Sequence, residues 1–439
     1  MASSKNSPRN TVQLIWPGGH SEQVRLIAIG KSGGAGEVFE IEDEPRYVAK
    51  IYHPTTQEGP LARYAQKIRW MIDNKPELPE IPVEHEGIVQ LAWPIALVMK
   101  ESKFAGFVME KVDFGRTMEL DYLLTRRQAT REGFEADFGK LVTVCYNLAS
   151  LINCLHSKKI AVVDLKPINL KVYKSELYVS ILDCDGFRIC SDSFRSEAPQ
   201  VTPEYLAPEF HDKAVTRPEA QDGFALATII FRLLNFGIHP FAGIAESRHP
   251  FAGIATSRHP YPTELSGRIK IGLYPYGRTP HKSVRATPAS IHETFPDSIR
   301  ELFDRAFASM PDGRATAYEW AKILGNYANK STGYMSQCPK GHLQFSGKSC
   351  PTCLREAIIQ GHAERQSRFM TQLQATPARA LRYVKKTLKG THASPFQAAL
   401  AQPQFNVVPL APTTLSNRNA ISVEILWIIG LLITYWWIK

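Results

Sequence analysis

Short apolar runs dominate the first hundred residues, and longer runs with helical spacing take over after them. Residues 1–10 are polar and read as a disordered lead-in. Residues 11–16 and 24–29 are strand-like runs on either side of a Pro-Gly-Gly turn. Tyr47-Val48-Ala49-Lys50-Ile51-Tyr52 and residues 104–112 read as two further strands. Between them, Leu61, Tyr64, Ala65, Ile68, Met71 and Ile72 recur at helical spacing. Residues 138–156 form a long helical stretch with apolar positions at Leu141, Val144, Cys145, Leu148, Leu151, Ile152 and Leu155, a core-packing face. The apolar run Tyr178-Val179-Ser180-Ile181-Leu182 reads as a strand that ends at Asp183.

Polar residues inside this pattern narrow the chemistry. Asp164, Lys166 and Asn169 lie together in Val163-Asp164-Leu165-Lys166-Pro167-Ile168-Asn169. Such an aspartate can accept a proton from a hydroxyl nucleophile, the lysine can neutralise transferring phosphate charge, and the asparagine can hold a metal ion. Asp183 comes 14 residues after Asn169, where a strand would set a second metal-binding carboxylate opposite the first loop. Gly30-Lys31-Ser32-Gly33-Gly34-Ala35-Gly36-Glu37-Val38 has four glycines in seven positions, so its backbone can approach a ligand closely. A flexible surface hairpin is the plain alternative. Lys50, 14 residues past Gly36, lies inside an apolar strand, where an amine is destabilising unless it meets an anion.

Together these stretches resemble the protein kinase family, over residues 27–327. The resemblance implies an α+β, bilobal kinase fold with a β-rich N-lobe (11–112) and a helical C-lobe (113–330). It implies that Gly33, Gly34, Gly36 and Val38 cover ATP phosphates and that Lys50 holds the α/β-phosphates. Phe107-Val108-Met109-Glu110-Lys111-Val112 looks like the hinge, with Met109 as gatekeeper and backbone groups around Glu110 and Val112 meeting adenine. Asp164 would orient or deprotonate the acceptor, and Lys166 would stabilise γ-phosphate charge. Asn169 and Asp183 would bind magnesium, with Asp185 the alternative to Asp183. Pro203-Glu204-Tyr205-Leu206-Ala207-Pro208-Glu209 resembles the peptide-positioning loop and its Ala-Pro-Glu end. Glu209 is expected to pair with Arg314, and Asp222 to anchor the catalytic loop.

The chain departs from the family pattern at three places. Counting back from Gly36 puts the first loop glycine on Lys31, and only an insertion restores Gly30. The helix at 61–72 lacks the acid expected to pair with Lys50; Gln66 or Lys67 fills that turn, and Glu58 could serve from an early helix start. Val162 and Val163 stand where the family has His and Arg, so loop phosphorylation is not expected to be the main on-switch. The implied activity is ATP- and magnesium-dependent phosphoryl transfer to Ser/Thr of a protein substrate. A pseudokinase scaffold that binds nucleotide or a partner without turnover is the alternative. A small-molecule kinase of aminoglycoside type is disfavoured by Ala207-Pro208-Glu209 and Arg314.

Charge and cysteines single out the last hundred residues. Of the net +10 on 439 residues, residues 331–439 hold 12 basic and 3 acidic side chains. The first part is near neutral, and no specific nucleic-acid partner is expected for it. The tail's charge suits a solvated linker, with an anionic membrane or nucleic acid as the other reading. Cys338, His342, Cys350 and Cys353 form a C-x3-H and a C-x2-C pair, the spacing of a structural zinc knuckle (336–356). The other four cysteines are scattered in mostly apolar contexts, as buried thiols of a cytoplasmic protein would be. Residues 357–420 read as a basic, Pro-, Ala- and Gln-rich linker. Residues 421–439 end the chain with a hydrophobic helix, whose uncharged 14 residues span about 21 Å. It is expected to anchor the protein to the cytoplasmic membrane, with docking to a partner or to the C-lobe as the alternative. A zinc module after a divergent kinase domain resembles bacterial kinase-like proteins encoded beside metal-dependent protein phosphatases, which suggests such a partner. Residues 239–248 (HPFAGIAESR) recur as 249–258 (HPFAGIATSR), and this duplication explains the His-Pro steps at His239, His249 and His259 better than a metal site does.

Overall fold

The computed structural model describes residues 10–375, apart from residues 33, 54–57, 79–80, 198–200, 212, 246–261, 280, 282–283 and 308–310. Gly33, His249, His259, the linker beyond residue 375 and the hydrophobic segment 421–439 therefore lie outside the described residues.

Alternating apolar residues make the first lobe a barrel. Its strands are β1 (Thr11–Ile15), β2 (Ser21–Ser32), β3 (Gly36–Ile41) and β4 (Tyr47–Tyr52), followed by helix α1 (Glu58–Asp73) and then β5 (Pro94–Lys100) and β6 (Lys103–Glu110). They pair in the order β1-β2-β3-β4-β6-β5, and β1 closes onto β5 with Leu14 opposite Val98. Closure leaves no edge to template aggregation. The period of two sends Val12, Leu14, Leu26, Ile41, Ala49, Ala96, Val98 and Val108 into the barrel core. The sequence-based reading lacks β5, because its run Pro94-Ile95-Ala96-Leu97-Val98-Met99 is apolar on both faces and shows no alternation.

Helix α1 lies outside the barrel. Its Ile68 and Met71 share one apolar cluster with Trp93, Leu97 and Phe107, and this cluster continues into the second lobe. The Trp93 indole N–H donates to the Met71 carbonyl at 2.8 Å, tying the helix to the segment that enters β5.

The second lobe contains β7 (Thr117–Glu119), α2 (Arg126–Arg131), α3 (Phe138–Ser157), β8 (Ile160–Ala161), β9 (Leu170–Tyr173), β10 (Val179–Ile181) and β11 (Arg188–Ile189). It continues with α4 (Pro218–Leu234), β12 (Gly243–Ala245), α5 (Leu265–Lys270), β13 (Val284–Ala286), α6 (Asp297–Phe307) and α7 (Ala317–Ala328). Asp137 caps α3 by accepting the Lys140 N–H at 2.9 Å. Thr316 and Glu319 form a capping box that starts α7. α4 is buried on nearly every face, which explains its continuous apolar run. α3 has the length and apolarity to cross a membrane, but its apolar side chains lie inside the lobe's core.

The hairpin β14 (Met335–Gln337) and β15 (Leu343–Phe345) precedes helix α8 (Pro351–Ala375). α8 extends into the stretch that composition suggested was linker. The chain divides into units Met1–Glu364 and Arg365–Lys439, and every candidate site residue falls in the first.

Candidate active site

Strand β4 carries Lys50 between two strands that hold it closely. Gly106 on β6 pairs with Ile51, and a Cβ there would stand 1.9 Å from the Lys50 carbonyl oxygen. Gly36 on β3 pairs with Tyr52, and its Cβ would stand 2.4 Å from the Ile51 carbonyl oxygen. Val38 faces Lys50 across the ladder, and Gly34 is exposed beyond it. Gly30 sits in a β2 bulge, where Ala28 opposes Phe39 and Lys31 opposes Val38. Its φ of +68° is one that glycine adopts without strain.

The Lys50 side chain is buried and meets two carboxylates. Its Nζ donates to Asp185 Oδ1 at 2.8 Å and to Asp183 Oδ1 at 3.1 Å. Tyr52 Oη donates to the other Asp185 oxygen at 3.0 Å, and Lys67 Nζ on α1 donates to the Asp185 main-chain carbonyl at 2.6 Å. Burial alone would lower the Lys50 pKa; attraction to Asp185 and then Asp183 outweighs it and leaves it raised. Burial pushes the Lys67 ammonium down to about 8, against the pull of Asp185. Lys50 thus does have acid partners. Among the described residues they are Asp185 and Asp183, and neither lies on α1. Asp185, the alternative magnesium ligand of the sequence reading, is one of the most engaged side chains of the site. The Glu58 side chain lies outside the described residues.

The catalytic loop is held from beneath by α4. The buried Asp222 carboxylate accepts the Val162 and Val163 N–H groups, each at 2.7 Å, and His156 Nε2 lies 2.9 Å from it. Val163 has φ +65°, a left-handed backbone that a β-branched residue adopts only under restraint, at roughly 1–3 kcal/mol. Asp222 supplies the restraint. Gln221 joins in, accepting the Ala207 N–H at 2.9 Å and donating to the Tyr205 carbonyl at 2.8 Å. One helical turn of α4 therefore sets both the catalytic loop and the Ala-Pro-Glu segment.

Asp164 emerges from that loop half-buried. Its Oδ2 accepts Lys166 Nζ at 2.6 Å, and its Oδ1 accepts Thr202 N–H at 3.1 Å and Thr202 Oγ1 at 3.0 Å. Lys166 Nζ also reaches Thr202 Oγ1 at 3.1 Å. Thr202 was missed because the peptide-positioning loop was started one residue later, at Pro203. Asn169 donates through Nδ2 to the Asp164 carbonyl at 3.4 Å, and its own carbonyl accepts the Leu182 N–H at 2.9 Å. That bond sets Asn169 beside the residue preceding Asp183. Among the described residues no donor engages the Asn169 amide oxygen, and the Asp183 carboxylate is exposed. Two oxygen donors of this kind fit a divalent cation such as magnesium.

The remaining expected positions fall as follows. Met109 pairs with Val48 and Pro94 at the end of β6. Glu110 has Arg46 at 3.8 Å and Lys75 at 3.6 Å, and Val112 is buried. Glu209 receives Arg314 through two bonds of 2.6 and 3.0 Å, the expected pair, and Arg314 also stacks over Phe224. His239 is buried with both ring nitrogens engaged by Glu204 and Phe241, so it is no metal ligand. A cavity of about 800 Å³ opens beside Arg188, Arg195, Arg217 and Tyr318, and none of Lys50, Asp164, Lys166, Asn169 and Asp183 lines it.

Cys338 and His342 lie at the β14–β15 turn, where the Cys338 N–H donates to the His342 carbonyl at 2.9 Å. Cys350 and Cys353 lie at the start of α8. The four ligand atoms fall within 4.8 Å of one another. Three thiols and an imidazole at that spacing fit one tetrahedral ion.

Comparison with known proteins agrees with this geometry. The model of the protein kinase domain matches residues 24–323. The chain is 27% identical over 306 residues to protein kinase YegI of Escherichia coli K12, covering 67% of this chain and 43% of that protein. It is 26% identical over 338 residues to protein kinase YegI of Escherichia coli O157:H7, covering 74% of this chain and 48% of that one. The chain thus spans less than half the length of the curated relatives it matches. With Lys50, Asp164, Asn169 and Asp183 drawn into one cleft and the domain match running through all of them, the chain belongs to the protein kinase family.

Proposed function

We propose that the protein transfers the γ-phosphoryl group of ATP to serine or threonine hydroxyls of a protein. The observation that carries this reading is the Asp164–Lys166–Thr202 cluster. A carboxylate is held there by a lysine and by the backbone of the loop on which a peptide would lie. Asp164 orients the acceptor hydroxyl and takes its proton. Lys166 offsets charge on the transferring group. Lys50 holds the α/β-phosphates, the Gly34–Gly36 backbone and Val38 cover them, and Met109, Glu110 and Val112 frame the base. Asn169 and Asp183 would hold magnesium, which supplies charge neutralisation between the phosphates when bound. The pseudokinase alternative drew on the missing α1 acid, the valines before Asp164 and the altered glycine loop. Asp185 gives Lys50 a carboxylate, which weighs against the first of these. Zinc is the ion proposed for Cys338, His342, Cys350 and Cys353, in a closed structural role.

The test is radiolabelled ATP turnover by the full chain with magnesium, followed by phosphoamino-acid analysis. Asp164→Asn should lower the rate by about 10²–10⁴-fold, the usual contribution of a positioned acid–base group, and Asp183→Asn should lower it by removing a magnesium ligand. Equal label from all three proteins would sink the enzyme reading.

A further inference from the structure

The turn Asp183–Gly186 presents two carboxylates to one lysine, and their environments are opposite. The Asp183 side chain is 65% exposed, and only its Oδ1 accepts a bond, from Lys50, among the described residues. The Asp185 side chain is 6% exposed, and each oxygen already has a donor, Lys50 on one and Tyr52 on the other. A metal ligand must be reachable, and Asp185 is not. A permanent counter-ion must be enclosed and hydrogen-bonded, and Asp185 is. Among the described residues, the α1 side chain that reaches this turn is Lys67, whose charge is opposite to that of an acid partner for Lys50. Two lysines and two aspartates therefore share the space, and Lys67 avoids a clash of like charge by bonding the Asp185 main chain.

From this arrangement we infer that Asp185 is the positioning residue for Lys50, the acid having moved from helix α1 to the turn that carries the metal ligand. This rests on the proposed nucleotide site and names how that site is held. Its consequence is regulatory. The nucleotide-holding lysine and the metal-binding aspartate depend on one turn, so the site forms or comes apart with the Cys184–Gly186 conformation. α1 contributes through Lys67, which fastens the turn.

The experiment uses the full chain and two readouts that need no phosphoryl transfer. One is labelling of Lys50 by an amine-reactive ester, followed by mass spectrometry. The other is binding of Mg·ADP by calorimetry. Asp185→Asn should expose Lys50 to labelling and weaken nucleotide binding by about 10- to 100-fold, the effect of losing a charged hydrogen bond. Asp183→Asn should leave Lys50 protected. Lys67→Glu joined to Asp185→Gly returns the acid to α1, and should bind nucleotide more tightly than Lys67→Glu alone. Wild-type protection and affinity in Asp185→Asn would overturn the inference. So would a double variant no better than Lys67→Glu, and that comparison decides the matter even where Asp185→Asn fails to fold. A protein that protects Lys50 through Asp185 yet turns over no ATP keeps this inference and loses the catalytic reading.

Discussion

His239 shows at the scale of one residue how the fold commits a titratable group. Its Nδ1 accepts the Phe241 N–H at 3.2 Å, and its Nε2 lies 3.1 Å from the Glu204 carbonyl. Only the neutral ring does both. Burial, with the Arg232 charge adding to it, pushes the imidazole down to about 3. The folded pKa is depressed, so the unfolded chain binds the proton first as pH falls below 6.5. Stability from this group is therefore complete above pH 6.5 and is lost as pH falls toward 3, by up to about 5 kcal/mol. His239→Gln should flatten the acid limb of a plot of melting temperature against pH. An unchanged limb would show that other groups set it. The same scale explains what could be read in advance. Lys50 was legible because an amine in an apolar run calls for an anion, and Asp164, Lys166 and Asn169 because they stand within six residues of sequence. Asp185, Thr202 and His156 were not. Their roles depend on partners 38 to 135 positions away, which spacing along the chain does not encode.

At the scale of elements, strand β4 is the piece on which the site depends, and its neighbours are chosen for closeness. A Cβ at Gly106 would press against the Lys50 carbonyl, an atom fixed in the ladder, so β6 or β4 must shift. Gly106→Ala should lower stability by about 1–3 kcal/mol, as overpacking does. It should also weaken nucleotide binding, because the strand that moves carries Lys50. Thermal melts and an ADP titration check both effects; lost stability with unchanged affinity would mean that the barrel yields on the β6 side alone. Several of the longer elements were legible through their periods. Helix α1 was expected over 61–72 and runs Glu58–Asp73, and residues 138–156 became α3 almost unchanged. β5 and α8 were not read. β5 is apolar on both faces, and α8 carries Leu354 and Ile358 against the core among mostly exposed, polar neighbours, so neither shows a clear stripe.

At the scale of the molecule, the cysteine cluster bears on the stability of the whole second lobe. Phe345 leaves the β14–β15 hairpin fully buried among Phe138, Tyr327 and Phe295, with ring centroids 5.2, 4.9 and 6.5 Å away. Thr352, between Cys350 and Cys353, is buried and accepts a bond from Arg126 of α2 at 2.9 Å, and Arg355 donates to the Ala289 carbonyl at 2.5 Å. The Cys/His turn and the core of the second lobe are thus one packed body, not a bead on a string. A bound ion that fixes Cys338 and His342 to Cys350 and Cys353 also fixes Phe345 in the core, so its binding energy is folding energy for the lobe. Removing the ion with a chelator should lower the single melting transition of the lobe, with no separate low-temperature step for the knuckle. Phe345→Ala, which leaves every ligand in place, should cost about 3–5 kcal/mol and bring the transition down in the same way. Two resolved transitions in the chelated protein, with the upper one unmoved, would show instead that the knuckle folds alone and that the Phe345 contact is incidental.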